Sequence, residues 1–353
     1  MNDNFNGQFN ENSENNNTPT MSPEEQKKHK NFFSKLSLAF FSYILITQLL
    51  AVVVTLFFEA SYPELLKNGN FSLLLSCVIQ YVIAFPLLAL SLKKLPARTP
   101  EVRELDGKRL FKYLTIVIFV MQIGSYISSI ILAALETNLG SVPQNSVETL
   151  LSESNILLSV LLVGIIGPIV EEIIFRKLFI DRLIPYGEAI AVFLPSAIFG
   201  LIHGNLYQLF YAFLIGAALS YIYVKTGKII YTAAIHIFIN LFCGVFPSYI
   251  LSMLDIDELM EIAYSGNITE EYILANLTPL TLFGIYSFVS TALLIIGVFN
   301  FNRNLYKLRF NKGEIRLPKG SGADIVLFNK GTVLLISICV VIIAISTFSF
   351  AFT

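Results

Sequence analysis

Charge is scarce in this chain. Only 14% of its 353 residues are Asp, Glu, Lys or Arg and 55% are hydrophobic, against roughly a quarter charged in an ordinary globular domain. That excludes a soluble globular protein and leaves an integral membrane protein. Cysteine is equally sparse: Cys77, Cys243 and Cys339 all lie in apolar runs without CxxC spacing, which excludes a disulfide framework or a thiolate metal site and makes them buried small hydrophobes. The formal net charge of −1 is silent on partners, since the position of each charge along a membrane chain matters more than the sum. Nucleic acid is not an expected partner. A cleavable signal peptide is not expected, because the basic cluster "KKHKNFFSK" follows a polar tail and the next apolar run is too long for one. Neither an internal repeat nor a soluble domain is present.

What is present is a succession of apolar runs. A helical span needs about 20 apolar residues, and nine stretches come near or exceed this: roughly 32–58, 71–92, 111–135, 154–180, 188–203, 206–225, 229–253, 277–301 and 331–352. They do not alternate apolar and polar, so a membrane barrel is excluded. The expected fold is all-α, a polytopic transmembrane bundle of about nine spans. The fifth run, "EAIAVFLPSAIFGLIH", is the shortest and carries Pro195, so it is expected to be tilted, kinked or partly re-entrant. Four regions follow. Residues 1–30 form an Asn-rich cytoplasmic tail whose first 26 residues lack the aliphatic surface to order themselves; 31–153 hold three spans; 154–253 form a four-helix core; 254–353 hold an outside loop, two spans and a basic loop.

The charges set an orientation. With the N-terminus cytoplasmic and nine crossings, the tail, 93–110, 181–187, 226–228 and 302–330 are inside, and every Lys and Arg except Lys67 falls in or beside them. The outside loops 136–153 and 254–276 carry acidic residues and neither Lys nor Arg. This is the positive-inside bias. It places the protein in the cell membrane with its C-terminus outside, and makes the basic loop with "LPKGSGAD" a surface for anionic lipid.

Against this apolar background a few polar groups stand out. "GPIVEEIIFRKLF" sets Glu171, Glu172 and Arg176 into a span, where each charge costs about 2.5–3.5 kcal/mol on an insertion scale. Glu172 and Arg176 are four apart and share a helix face, so they can pair; Glu171 is turned about 100° away and stays free. Pro168 lacks an N–H and loosens the helix just before the carboxylates. Of three histidines only His203 and His236 lie in apolar runs, and His236 shares a face with Asn240. Two imidazoles, a free carboxylate and an amide make the inventory of a hydrolytic site, with zinc or without it. Taken singly, a membrane His is more often an interhelical hydrogen-bonder and a Glu–Arg pair a packing clamp. Gln80 and Gln122 read as ordinary membrane-helix glue.

"EEIIFR", "FGLIH" and "HIFIN" resemble, in order, the EExxxR, FxxxH and HxxxN motifs of the CPBP family, which comprises the prenyl-protein (CAAX) proteases and the bacteriocin-processing or immunity proteins also called Abi. The matching residues are Glu171, Glu172 and Arg176, then Phe199 and His203, then His236 and Asn240, and the resemblance spans about 154–250. It implies an intramembrane endopeptidase, metallo- or glutamic-type. Glu171 and His203 would hold and deprotonate water, and His236 and Asn240 would stabilise the oxyanion or assist. Glu172, Arg176 and Phe199 would support the site. If zinc is the cofactor, His203, His236 and Glu171 would ligate it; a metal-free route is the alternative. Glu171 is the favoured base because it has no local partner, and an Asn is a poor zinc ligand, which suits Asn240 to an oxyanion role. The implied substrate is a peptide or membrane-anchored protein, such as a leader peptide, a bacteriocin precursor or an anchored regulator. A transporter or proton relay, and a catalytically silent immunity or scaffold protein, are the competing readings; the first lacks the repeat symmetry expected of it. Depth is the awkward feature. With the fourth run ending near 180, Glu171 and His236 fall close to the cytoplasmic face and His203 far from it, unless 181–195 lies in the interface or the fifth run tilts about Pro195.

Overall fold

The computed structural model describes residues 21–140 and 145–348; among these the chain is helical, with one isolated bridge pair and no strand. The main helices are α1 (Pro23–Ser61), α2 (Gly69–Leu92), α3 (Gly107–Leu139), α4 (Ile156–Tyr186), α5 (Glu188–Ile202), α6 (Leu206–Thr226), α7 (Ile229–Leu251), α8 (Leu277–Leu305) and α9 (Lys330–Phe348). Among the described residues eight of them are long and apolar enough to cross a membrane, and α5 is the shorter apolar helix. Each falls on one of the nine apolar runs, so the all-α polytopic bundle is the fold. Most of the expected disordered tail and the terminal "SFAFT" lie outside the described residues. Residues 23–30 of that tail are the first turns of α1, begun by a reciprocal cap: Ser22 Oγ accepts from the Glu25 N–H at 3.2 Å and Glu25 accepts from the Ser22 N–H at 2.8 Å. A polar composition does not stop a capped helix from continuing into its amphipathic end.

Four stretches of these helices widen to π geometry: Val78–Ala84 in α2, Val160–Ile166 and Ile173–Ile180 in α4, and Asn240–Val245 in α7. Three of them share one cause. The sequence places Pro86, Pro168 and Pro247 just beyond, and the N–H groups of Phe85, Gly167 and Phe246 reach back five residues to the carbonyls of Gln80, Leu162 and Leu241. A proline brings no N–H and crowds the turn before it; widening that turn by one residue relieves the crowding. The carbonyl next in line, five residues before each proline, is left without a ladder donor.

Lipid tails supply no hydrophobic force between helices, so close approach rests on small residues. The α5–α6 hairpin shows this best. A Cβ on Gly216 would stand 3.1 Å from the Phe199 ring and 3.3 Å from the Ser196 Cα, so a glycine there seats Phe199 against α6. The main buried cluster joins α1, α2, α4, α5, α6 and α9 around Phe33, Phe40, Phe175, Phe179 and Phe199.

The connecting segments meet at one end of the bundle. The Arg98 N–H donates to the Asp181 carbonyl at 2.6 Å, that of Arg103 to Thr226 at 2.9 Å, and that of Ile315 to Pro185 at 3.0 Å. Gly187, with φ 110°, turns the chain from α4 into α5, and a side chain on Gly313, which crosses it, would meet the Pro185 carbonyl at 2.3 Å. This turn corrects the expected depths. Helix α4 does not stop near 180 but runs on to Tyr186, and α5 starts immediately at Glu188, so 181–195 is not a separate segment between two helices. From Tyr186 back to Glu171 and from Glu188 on to His203 the rise is about 22 Å in each case, at 1.5 Å per residue. Glu171 and His203 therefore lie level.

Candidate active site

Helix α4 supplies the charged groups. Arg176 Nη2 donates to Glu172 Oε1 at 3.1 Å and its Nε lies 2.9 Å from Oε2, off the direction of a good hydrogen bond, with both side chains fully buried. The pair expected from their spacing is thus present. Arg176 Nη1 has no partner among the described residues. Helix α7 brings His236, whose Nδ1 is 3.0 Å from the same Glu172 Oε1. A carboxylate already held by a guanidinium is an acceptor, so the Nδ1 of His236 is the protonated nitrogen and Nε2 presents a lone pair to the site. That Nε2 lies 3.6 Å from Glu171 Oε2, beyond direct hydrogen-bond length. The two neighbouring carboxylates differ sharply: the Glu172 side chain is 0% exposed and that of Glu171 27%. Glu171 is the one with open surface.

His203, at the end of α5, is fixed in the same way. Its Nδ1 donates to the Phe199 carbonyl at 2.6 Å, because a backbone carbonyl can only accept, and its Nε2 is the free lone pair. The Phe199 ring ties the motifs together. It makes edge contacts with His203 at 4.9 Å and His236 at 5.9 Å between centroids, takes Phe175 at 4.9 Å, and has the Arg176 guanidinium 5.8 Å above it. The carboxylate of Glu171 is within electrostatic range of His203. Glu171, Glu172, Arg176, Phe199, His203 and His236 are therefore brought together.

Asn240 occupies a different place. Its Nδ2 donates to the Val163 carbonyl at 3.0 Å, the carbonyl that Pro168 leaves without a donor five residues on. The proline before the first motif and the amide of the third are thus two halves of one arrangement: one opens a backbone acceptor and the other fills it. A second amide hydrogen remains on Asn240.

Sequence reasoning missed three phenols. Tyr43 of α1, Tyr81 of α2 and Tyr211 of α6 lie within electrostatic range of Glu171. Tyrosine is common in apolar spans, so only the Pro86 five residues after Tyr81, repeating the Val163–Pro168 interval, hinted at a special position.

Two imidazole Nε2 lone pairs and a carboxylate are the donor types of a catalytic zinc site, and each Nδ1 already has the outer acceptor such ligands use. Among the described residues, however, no three His, Cys, Asp or Glu side chains converge closely enough to hold a metal ion. The donor chemistry suits zinc and the spacing does not.

No curated protein and no solved structure matches the chain. A family model does: residues 153–242 match the one described as "Type II CAAX prenyl endopeptidase Rce1-like". That segment holds every motif residue and lies inside a polytopic helical bundle. Over residues 153–242 the chain is thus similar to the CPBP/CAAX proteases, and the match covers about a quarter of its length.

Proposed function

We propose that the chain is an intramembrane endopeptidase in which Glu171 is the general base for an attacking water. The observation that carries this reading is the pairing of Glu171 Oε2 with His236 Nε2 at 3.6 Å, a separation that leaves both atoms free to bind one water. Glu171 takes a proton from the water as its oxygen attacks the scissile carbonyl carbon, and the carbonyl electrons move onto oxygen. The Nε2 lone pair of His236 accepts the water's second hydrogen and orients it, and His203 stands beside Glu171 at the same site. The second amide hydrogen of Asn240 supports the oxyanion. The C–N bond then breaks as Glu171 returns its proton to the leaving amine. Glu172 and Arg176 act through His236, holding its tautomer. Zinc is not needed for any of these steps. The substrate is a peptide or anchored protein reached from the cytoplasmic side.

The test is hydrolysis by the purified full chain in lipid vesicles of quenched peptides of two kinds, farnesylated CAAX-box peptides and unprenylated membrane-tethered ones. Glu171→Gln and His203→Ala are expected to lower kcat by about 10²–10⁴-fold with unchanged thermal unfolding. Chelator treatment is expected to leave the rate unchanged. A chelator loss that added zinc restores would turn Glu171 from base into ligand, full activity in Glu171→Gln would overturn the role of Glu171, and no hydrolysis of either peptide by the parent chain would overturn the protease reading.

A further inference from the structure

The matched family segment begins at residue 153, yet the site has a wall built by α2. The Tyr81 hydroxyl rests on the surface of α4 at Gly167, so close that a Cβ there would stand 2.9 Å from it. Gly167 and Glu171 lie in one α-helical stretch, Gly167–Glu172, so they share a face one turn apart, about 6 Å. The phenol is therefore delivered onto the face that carries the base. Among the described residues the Tyr81 hydroxyl has no hydrogen-bond partner. A hydroxyl brought into an apolar span without a partner is costly, which leaves water or substrate as its acceptor.

What sets Tyr81 apart is its seat on α4 at Gly167; the Tyr211 oxygen accepts from Gln208 Nε2 at 2.8 Å, and Asn240 gives one of its two amide hydrogens to Val163. The turn holding Tyr81 is itself widened, Val78–Ala84, ahead of Pro86, and the Asn240 anchor sits one turn further back on α4. Tyr81, Asn240 and Glu171 thus address successive turns of the same helix.

We propose that Tyr81 is a catalytic residue whose O–H donates a hydrogen bond to the oxyanion formed when the Glu171-activated water adds to the scissile carbonyl. The phenol proton stays on Tyr81 throughout; only the carbonyl π electrons move, onto the oxygen it faces. Gly167 serves this role by leaving room for the hydroxyl. The proposal rests on the protease reading above.

The experiment uses the full chain in vesicles with the quenched peptide it cleaves fastest. Tyr81→Phe removes one oxygen and is expected to lower kcat about 10²-fold with KM and the unfolding midpoint unchanged. Gly167→Ala, which displaces the phenol, is expected to give a similar loss, and the double variant no more than either alone. Tyr81→Phe within about twofold of the parent while Glu171→Gln is inactive overturns the role of Tyr81 and leaves the protease reading standing. A loss in Tyr81→Phe that tracks a lowered unfolding midpoint, or additive losses in the double variant, also overturns it. Activity retained in Glu171→Gln removes the role of Glu171 and that of Tyr81 together.

Discussion

Glu171 and Glu172 are adjacent in the chain and opposite in environment, and the difference comes from what stands four residues on. Arg176 is reached by Glu172, so that carboxylate is drawn into a sealed pair, fully buried, with His236 on its far side. Removing the arginine leaves a charged carboxylate in the bundle with only the His236 imidazole and the Thr232 hydroxyl beside it. Arg176→Met is expected to cost about 3–5 kcal/mol, read as a lower thermal unfolding midpoint of the purified protein. Arg176→Met with Glu172→Leu together should recover part of the loss, since a buried ion pair replaced whole by apolar groups is often neutral. If the single variant unfolds at the parent temperature, the pair is not holding the site. This pair was legible in the sequence because it is local, a matter of helix spacing. Tyr43, Tyr81 and Tyr211 were not, because a phenol in an apolar run acquires meaning only from the helix it faces.

At the scale of the helix, the prolines decide more than their number suggests. Pro168 was legible as a loosened turn; its partner was not, since the donor to the Val163 carbonyl comes from α7, 77 residues later. Asn240→Ala is expected to leave that carbonyl unsatisfied in the bundle at a cost of about 1–3 kcal/mol. Pro168→Ala returns a backbone N–H at the position that faces it. The double variant Pro168→Ala with Asn240→Ala should therefore be more stable than Asn240→Ala alone, measured as unfolding midpoints in the same detergent. Strict additivity of the two changes would mean the amide and the proline are independent. The end of α4 was misread for a related reason. Asp181 and Arg182 look like the exit from a membrane, yet the helix runs through them because their charges are met internally. Asp181 takes Lys177 at 2.6 Å and the Tyr223 hydroxyl at 2.7 Å, and Arg182 donates to the Leu178 and Leu92 carbonyls at 2.7 and 2.6 Å. A charge count along the sequence cannot know that partners wait on other helices.

For the molecule as a whole, the distribution of charge and the packing of the connections are independent observations that agree. The segments containing Arg98, Arg103, Lys225, Lys228 and Glu314 are interlocked at one end by the Arg98–Glu314 and Lys228–Glu104 ion pairs and by Glu188, which takes Lys225 at 2.5 Å and the Asn311 N–H at 2.7 Å. The loop 136–153, without Lys or Arg, is packed elsewhere, against the start of α2, where a Cβ on Gly69 would stand 2.6 Å from the Glu153 carbonyl oxygen. Because basic segments are retained on the cytoplasmic side, the interlocked end is the cytoplasmic one in our proposal. Single cysteines at exposed positions test it, in a background where Cys77, Cys243 and Cys339 are changed to Ala. Asn267→Cys is expected to react with a membrane-impermeant maleimide in intact cells, and Lys319→Cys only after permeabilisation. The reverse pattern would invert the protein and bring substrates to Glu171 from the opposite side. Labelling of both sites in intact cells would break the link between charge and topology on which the cytoplasmic approach depends, while leaving the geometry around Glu171 untouched.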